Sequence, residues 1–393
     1  MDGPRGCRVS EFAETMAFLN SVFRVGGVQD LRTDYPLVFD AARAANMRIV
    51  KADSRVVAHA AVAPRQVAAA GDSFSVGIIA PTATHPNYHH RGYGSACVVD
   101  CIRLMEELGC VLSVLWTQEA TFPFYQRLGY KAVASQGWAY SLDPVAANRF
   151  AGDRFAIMQY VPADQGHLDG IMRLHERESQ RIARSPAEYQ SLFALPRITT
   201  YLAEKRREVL GYLMLGQGMN KPGIIEAGGE PAALEALVRQ VLLEQVDDTP
   251  IQGLVPLAPC ALGDLLEAKV GDTRRPIEEA RGVGYQMVRV NMLRGFLEKI
   301  SRHLWQGTAG LEGAVSLACT DTGETATISV SRDGVGISSE PAEDSLALSR
   351  RDLSRLFFGP HRGAPAVKLD GVGGEILNRV FPYHFTIWEL DHC

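Results

Sequence analysis

The sequence predicts an α/β protein built on mixed sheets (α+β), and three observations predict it. Short apolar, strand-like runs alternate with stretches whose apolar residues recur every three to four positions. A glycine-rich loop joins one such strand to one such helix, and the same strand-and-helix order returns in the middle of the chain. The 393 residues suffice for roughly two to three domains, each able to bury its own core.

Composition excludes several classes. With 46% hydrophobic and 22% charged residues, the chain is ordinary for a soluble globular protein. Its net charge is −5, and it holds no basic block longer than Lys205-Arg206-Arg207, so no nucleic-acid partner is expected. The first residues lack the apolar core of a signal peptide, and no run approaches the roughly 18 apolar residues that span a bilayer, so no membrane partner is expected. Seven cysteines without a CxxC pair suggest reduced thiols and a cytoplasmic setting. Cys97 and Cys101, one helical turn apart, read as small buried hydrophobes.

In the first segment, residues 1–145, Ser10 can cap a helix presenting Phe12, Met16, Leu19 and Phe23. Strands are expected over 47–51, 56–62, around Val67 and over 76–84. Pro81 cannot donate to a ladder, which predicts a bulge or frayed edge there. After a turn at His85-Pro86-Asn87, His90-Arg91-Gly92-Tyr93-Gly94-Ser95 leads into a helix with Cys97, Val98, Cys101, Ile102, Met105 and Leu108 on one face and Gly109 as its stop. A buried strand over 111–116 and a short helix over 121–128, ended by Gly129, complete the segment. Glycines at a strand-to-helix junction let the backbone approach a ligand, and the free N–H groups of the helix start attract phosphate. His85, His89 and His90 read as exposed loop histidines, and no third ligand stands at a spacing that would support a metal.

These motifs carry a family resemblance. The order strand, Ala83-Thr84-His85-Pro86, Arg91-Gly92-Tyr93-Gly94, helix, strand, then Phe124-Tyr125-Gln126-Arg127-Leu128-Gly129-Tyr130 resembles the GNAT acyltransferases, a family that binds acetyl-CoA. The resemblance implies acetyl-CoA as co-substrate and no metal. Backbone amides from His90 through Arg91, Gly92, Tyr93 and Gly94 to Ser95 would hold its pyrophosphate. Thr82, Ala83 and Thr84 would pair with its pantetheine arm as an extended ligand adds to a sheet edge. Ala120 and Thr121 complete the implied cofactor-binding set. Where the family usually carries Gln or Arg at the first loop position, this chain has His89 followed by His90, a rim less reliably charged near pH 7. The resemblance also implies that Tyr125 reprotonates the departing thiolate. A phenol of pKa about 10 is a protonated donor at neutral pH, beside a thiol near 8.5. The other reading of Tyr125 is packing against the adenine or pantetheine, and Tyr130 reads as packing in the next strand.

Residues 146–290 repeat the pattern, with strands expected over 155–160, 199–204, 209–215, 224–227 and 251–255, helices over 168–175 and 234–245, and a closing strand over 284–290. Where a phosphate loop would fall stands Glu226-Ala-Gly-Gly-Glu-Pro231, whose carboxylates would repel pyrophosphate. This reads as a degenerate GNAT-like domain without cofactor. Residues 291–393 open with a helix over 292–304, followed by strands over 315–320 and 325–331, a Ser349-capped helix closed by Gly359 and a short helix over 373–380. A tandem of GNAT folds followed by a domain similar to sterol carrier proteins resembles the Eis (enhanced intracellular survival) acetyltransferases. Lipid binding does not follow from that likeness. The Eis resemblance implies a homo-oligomer, and a terminal carboxylate, here that of Cys393, reaching the active site as general base. His392 is the alternative base. The expected function is acetyl transfer to a primary amine: a small polyamine-like or aminoglycoside-like acceptor, or lysine. A binding protein that senses acyl-CoA or carries lipid without turnover is the competing class.

Overall fold

The structure, a computed structural model, describes residues 1–393 except 28–29, 136, 153, 218–221, 246–248, 282–283, 363–370 and 393. Two compact units divide it: residues 1–134 with 284–383, and residues 135–283 with 384–393. Residues 135–283 are thus inserted in the sequence of the first unit, and the chain ends, over 384–393, in the second.

In the first unit the main sheet runs in the order Asp2–Gly6, Met47–Ala52, Arg55–Ala69, Asp72–Ile79, Leu112–Thr117, Tyr285–Val290 and Lys131–Ala132. Along this order a parallel step joins Asp72–Ile79 to Leu112–Thr117. A parallel pair needs a crossover, and helix Tyr93–Glu107 supplies it. The apolar face of that helix (Cys97, Val98, Cys101, Ile102, Met105) is buried against Val57, Ala60, Val62 and Leu115 of the sheet. The same unit holds a four-stranded sheet in the order Gly334–Ser338, Thr325–Ser331, Gly313–Cys319 and Ser345–Leu348. Phe296, on helix Leu293–Lys299, meets Phe74 of the main sheet edge to face at 5.9 Å.

The second unit is a seven-stranded sheet in the order Arg275–Pro276, Gly137–Leu142, Ile251–Pro256, Pro222–Gly229, Glu208–Gln217, Ile198–Lys205 and Ala156–Gln159. It is antiparallel save for one parallel step, from Pro222–Gly229 to Ile251–Pro256 across helix Pro231–Leu243.

Several expectations change. The strands expected over 56–62 and around Val67 are one continuous strand, Arg55–Ala69. Ser10 is not a cap: a 3-10 turn, Val9–Glu11, precedes helix Phe12–Phe23, and Glu11 reaches back to the Arg8 N–H at 3.0 Å. The expected 292–304 helix breaks at Ile300 into Leu293–Lys299 and Ser301–Gly307. Strand Tyr285–Val290, expected to close the middle segment, instead fills the gap between Leu112–Thr117 and Lys131–Ala132 in the first sheet. An alternating pattern announces a strand but not the sheet it joins. The compact units accordingly divide at 134/135 and 283/284 rather than at 145/146 and 290/291, and 284–383 packs with the first unit rather than standing apart.

Candidate active site

The site begins where the strand Asp72–Ile79 stops. Ala80 N–H still donates to Ala61 O (3.1 Å), and Ala83 next pairs with His59, so Pro81 and Thr82 together stand opposite the single residue Ala60. That is a β-bulge, as the missing donor of Pro81 led us to expect. His59 holds it: its Nδ1 donates to Pro81 O at 3.0 Å, and its ring is fully buried. Burial pushes the His59 imidazole down to about 4, so it is neutral at physiological pH, and its buried Nε2 has no hydrogen-bond partner among the described residues.

On the other side of Asp72–Ile79, parallel pairing runs from Val76↔Leu112 to Ile78↔Val114 while the neighbour continues to Thr117. The bulge carries one strand away as the other goes straight on. The backbone edges part there, which is the geometry an extended, amide-rich ligand can enter.

Beyond Ala83–Thr84 the chain makes a 3-10 turn, Pro86–Tyr88, and reaches the helix through two left-handed residues, His90 (φ +60°) and Gly92 (φ +79°). Gly92 is the helix N-cap, and a glycine there adopts φ > 0 without the cost a Cβ adds. Gly94 is constrained differently: a Cβ would lie 2.7 Å from Thr84 Oγ1, so only glycine lets the first helical turn sit this close to the strand tip. The free N–H groups of that first turn, Tyr93 to Ser95, can take an anion at this end of the helix. Arg91 lies over the Tyr88 ring, 5.0 Å from its centroid, and the Tyr88 hydroxyl donates to Asp53 Oδ2 at 2.7 Å. His89, expected to line the rim, is exposed and donates from Nε2 to Thr84 O at 2.8 Å.

Tyr125 lies on helix Phe122–Gln126, its ring edge-on to Phe124 (4.8 Å) and Tyr130 (5.9 Å). Burial raises its phenol above the ordinary value, and the nearby Thr82 hydroxyl offsets part of the rise. Thr82 Oγ1 is itself buried without a well-aligned hydrogen bond, so two hydroxyls meet at the bulge with capacity to spare. Tyr130 differs: it is fully buried and shares a 2.5 Å hydrogen bond with Ser113, which leaves it a packing role. Ala120 and Thr121 form part of the 3-10 turn Glu119–Thr121, where Thr121 Oγ1 bonds to Thr117 Oγ1 and donates to Gln118 O (2.8 Å). Thr82, Ala83, Thr84, Tyr125 and the 90–95 loop are thus brought together around one parting of strands, with Thr121 beside the end of the straight one. Cys393 lies outside the described residues. Among the described residues, no group of three or more His, Cys, Asp or Glu could hold a metal ion, and no helix is long and apolar enough to cross a membrane.

Sequence reasoning missed His59. Its signal was a lone imidazole in the apolar run Val56-Val-Ala-His-Ala-Ala-Val62. It also missed a buried ionic cluster within the second unit. Arg184 donates to both oxygens of Glu226 (3.0 and 2.5 Å) and to both oxygens of Asp391 (Nε to Oδ1, 2.7 Å), with all three side chains about 1% exposed. Tyr212 donates to Glu226 at 3.0 Å, and Glu178 nearby is pushed up to about 7 by burial and the charge of Glu226. Gln180 brackets the tail as well, donating to His384 O (3.2 Å) and accepting from Thr386 N–H (3.0 Å).

Residues 4–133 match the family model described as acetyltransferase (GNAT) domain. A glucosamine 6-phosphate N-acetyltransferase of Trypanosoma brucei brucei is 33% identical over 58 residues, which are 15% of this chain and 40% of that protein. The match therefore spans well under half of that relative. Among solved structures, a GCN5-related N-acetyltransferase from Kribbella flavida superposes with a TM-score of 0.67 at 16% identity over 96% of both chains. One from Anabaena variabilis gives 0.68 at 15% identity, covering 90% of this chain and 89% of that one. Eis1 from Mycobacterium abscessus gives 0.58 at 17% identity with the same coverage. At such identities these likenesses show the fold. Residues 4–133 thus carry a GNAT acetyltransferase domain, and GNAT domains use acetyl-CoA.

Proposed function

We propose that the protein is an acetyl-CoA-dependent N-acetyltransferase that passes the acetyl group to a primary amine by direct attack. The observation that carries this reading is the convergence of the Pro81–Thr82 bulge, the 90–95 loop and the Tyr125 phenol within the GNAT domain. The pantetheine arm lies along Thr82, Ala83 and Thr84, and the pyrophosphate rests on the amides of His90 to Ser95. Ala120 and Thr121 border the arm from the other strand end. The neutral amine nitrogen forms a bond to the thioester carbonyl carbon, the C–S bond breaks, and Tyr125 gives its proton to the leaving sulfur. Its raised pKa keeps that proton in place through the neutral range. An amine of pKa about 10.4 is neutral in only roughly one molecule in 10³ at pH 7, so its ammonium proton must pass to a base before the nitrogen attacks. The terminal carboxylate of Cys393 is that base, directly or through water, with His392 the alternative.

The acceptor is a small polyamine-like or aminoglycoside-like amine, or lysine, and the chain has the Eis-type organisation. The likeness to Eis1 over most of the chain supports that organisation. The unit 135–283 is a second GNAT-like fold without cofactor. Its parallel step across helix Pro231–Leu243 supports this, as does Glu230 at the N-cap of that helix, with Glu226 buried just before it. The test is thiol release from acetyl-CoA across a panel of polyamines, aminoglycosides and lysine peptides. Amine-dependent release is expected, and Tyr125→Phe should cut turnover by about 10²-fold or more while sparing acetyl-CoA affinity. Acetyl-CoA binding with no release on any amine would sink the reading, and unchanged turnover in Tyr125→Phe would remove Tyr125 from it.

A further inference from the structure

The first unit holds a cavity of about 680 Å³ between the second half of helix Tyr93–Glu107, the turn 126–129, and residues from strand Tyr285–Val290 and helix Arg350–Phe358. Its walls carry Arg103, Arg127, Arg289, Arg350 and Arg351, against the carboxylates of Glu106 and Asp321 only. A local surplus of three positive charges is notable in a chain whose net charge is −5.

The arginines are not merely solvated at a rim. Arg289 is 8% exposed, donates to Leu128 O (3.2 Å) and Asn291 Oδ1 (2.5 Å), and meets the Glu106 carboxylate at 3.4 Å. Arg350 spends its Nη1 on two backbone carbonyls, Val290 O (2.6 Å) and Asn291 O (3.1 Å). Backbone carbonyls fix the direction of a guanidinium without cancelling its charge. The two lie side by side: a Cβ on Gly129 would touch Arg289 Nε at 3.3 Å and Arg350 Cδ at 3.4 Å. Burial, with Arg350 adding to it, disfavours the charged form of Arg289. Arg103 and Arg351 are exposed and make no hydrogen bond or ion pair among the described residues, so both are available to a ligand. A buried and a half-buried cation, held in place and backed by two free ones, are what a multiply charged oxyanion needs. Guanidinium forks match phosphate oxygens two at a time.

We propose that this cavity binds a phosphate polyanion, the phosphoryl groups lying between Arg289 and Arg350 with Arg103 and Arg351 closing over them. This goes beyond the transferase reading and does not depend on it. Two sources share the chemistry: a separate phosphorylated metabolite, or the 3′-phosphate end of the donor itself, since the face of the helix that carries Ser95 also carries Val99 and Arg103.

The probe is inorganic tripolyphosphate, titrated calorimetrically into the full chain at low salt and again at higher salt. One-site binding that weakens with salt is expected, and Arg103→Gln/Arg351→Gln should lower its affinity about tenfold or more, the loss expected for charge-assisted hydrogen bonds. Both side chains are exposed, so the variant keeps its core. Displacement by acetyl-CoA but not by acetyl-dephospho-CoA supports the proposal and assigns the donor. Binding that acetyl-CoA leaves intact supports it and assigns a separate ligand. No binding at millimolar tripolyphosphate, or an affinity indifferent to the double substitution, overturns it. None of these readouts involves acetyl transfer.

Discussion

Arg184→Met tests a deeply buried charge in the second unit. Methionine keeps the length and fills most of the space, so the change removes charge with little cavity. It strands two carboxylates, Glu226 and Asp391, each about 1% exposed and each receiving two hydrogen bonds from that guanidinium. Removing one partner of a buried pair costs about 3–5 kcal/mol, a third or more of the total stability of an ordinary domain. For a unit of this size that is roughly 6–20 °C in Tm. Urea unfolding at pH 7 should show the loss directly. The loss should shrink toward pH 5, because a stranded carboxylate has a raised pKa and takes up a proton in the folded state, which neutralises it. Adding Glu226→Gln and Asp391→Asn to the variant should restore much of the stability, since no buried charge is then left. A loss under about 1 kcal/mol at pH 7, or no recovery in the triple variant, would refute the reasoning. Because Asp391 anchors the end of the chain, the single variant should also let carboxypeptidase trim the last residues faster.

Further outcomes follow from the first unit. Gly94→Ala puts a Cβ 2.7 Å from Thr84 Oγ1, so helix and strand tip must separate; acetyl-CoA affinity should fall about tenfold, and Thr84→Ala in the same chain should restore it. His59, held down to about 4 by burial, refuses a proton that the unfolded chain accepts from about pH 6.5 downward. Its contribution is therefore complete above pH 6.5 and drains away by about 3 kcal/mol as pH falls to 4; His59→Gln should flatten that part of the stability profile, measured by urea midpoints. A chain extended past Cys393 should lose turnover while retaining acetyl-CoA affinity, and full activity of a C-terminally tagged protein would argue against the carboxylate as base.

Local chemistry was legible in the sequence where one residue type dictates one conformation. Pro81 announced its bulge, and Ser349 its cap, accepting from Asp352 N–H at 3.2 Å. What stayed hidden depends on partners far apart in the chain. Nothing local to Arg184 says that it meets residues 226 and 391. His89 stands where a rim residue is expected, yet the nearby Thr84 carbonyl takes it. Strand Asp2–Gly6 was missed because its Gly-Pro reads as a turn, and it earns its place only by pairing with Met47–Ala52. The strand Tyr285–Val290 was recognised as a strand and assigned to the wrong neighbours, since hydrophobic alternation is blind to sheet membership.

That last strand has a consequence for biosynthesis. Until residue 290 has left the ribosome, Leu112–Thr117 has no neighbour on the side where Tyr285–Val290 will pair, and it waits as a bare apolar edge. At roughly 5–20 residues per second, the intervening stretch takes on the order of 10–30 s to translate. The nascent chain must shelter that edge for the whole interval, and a gene fragment stopping near residue 145 would shelter it never. Such a fragment should collect in inclusion bodies, whereas one in which 284–383 is spliced back onto 1–134 carries Tyr285–Val290 to cover that edge.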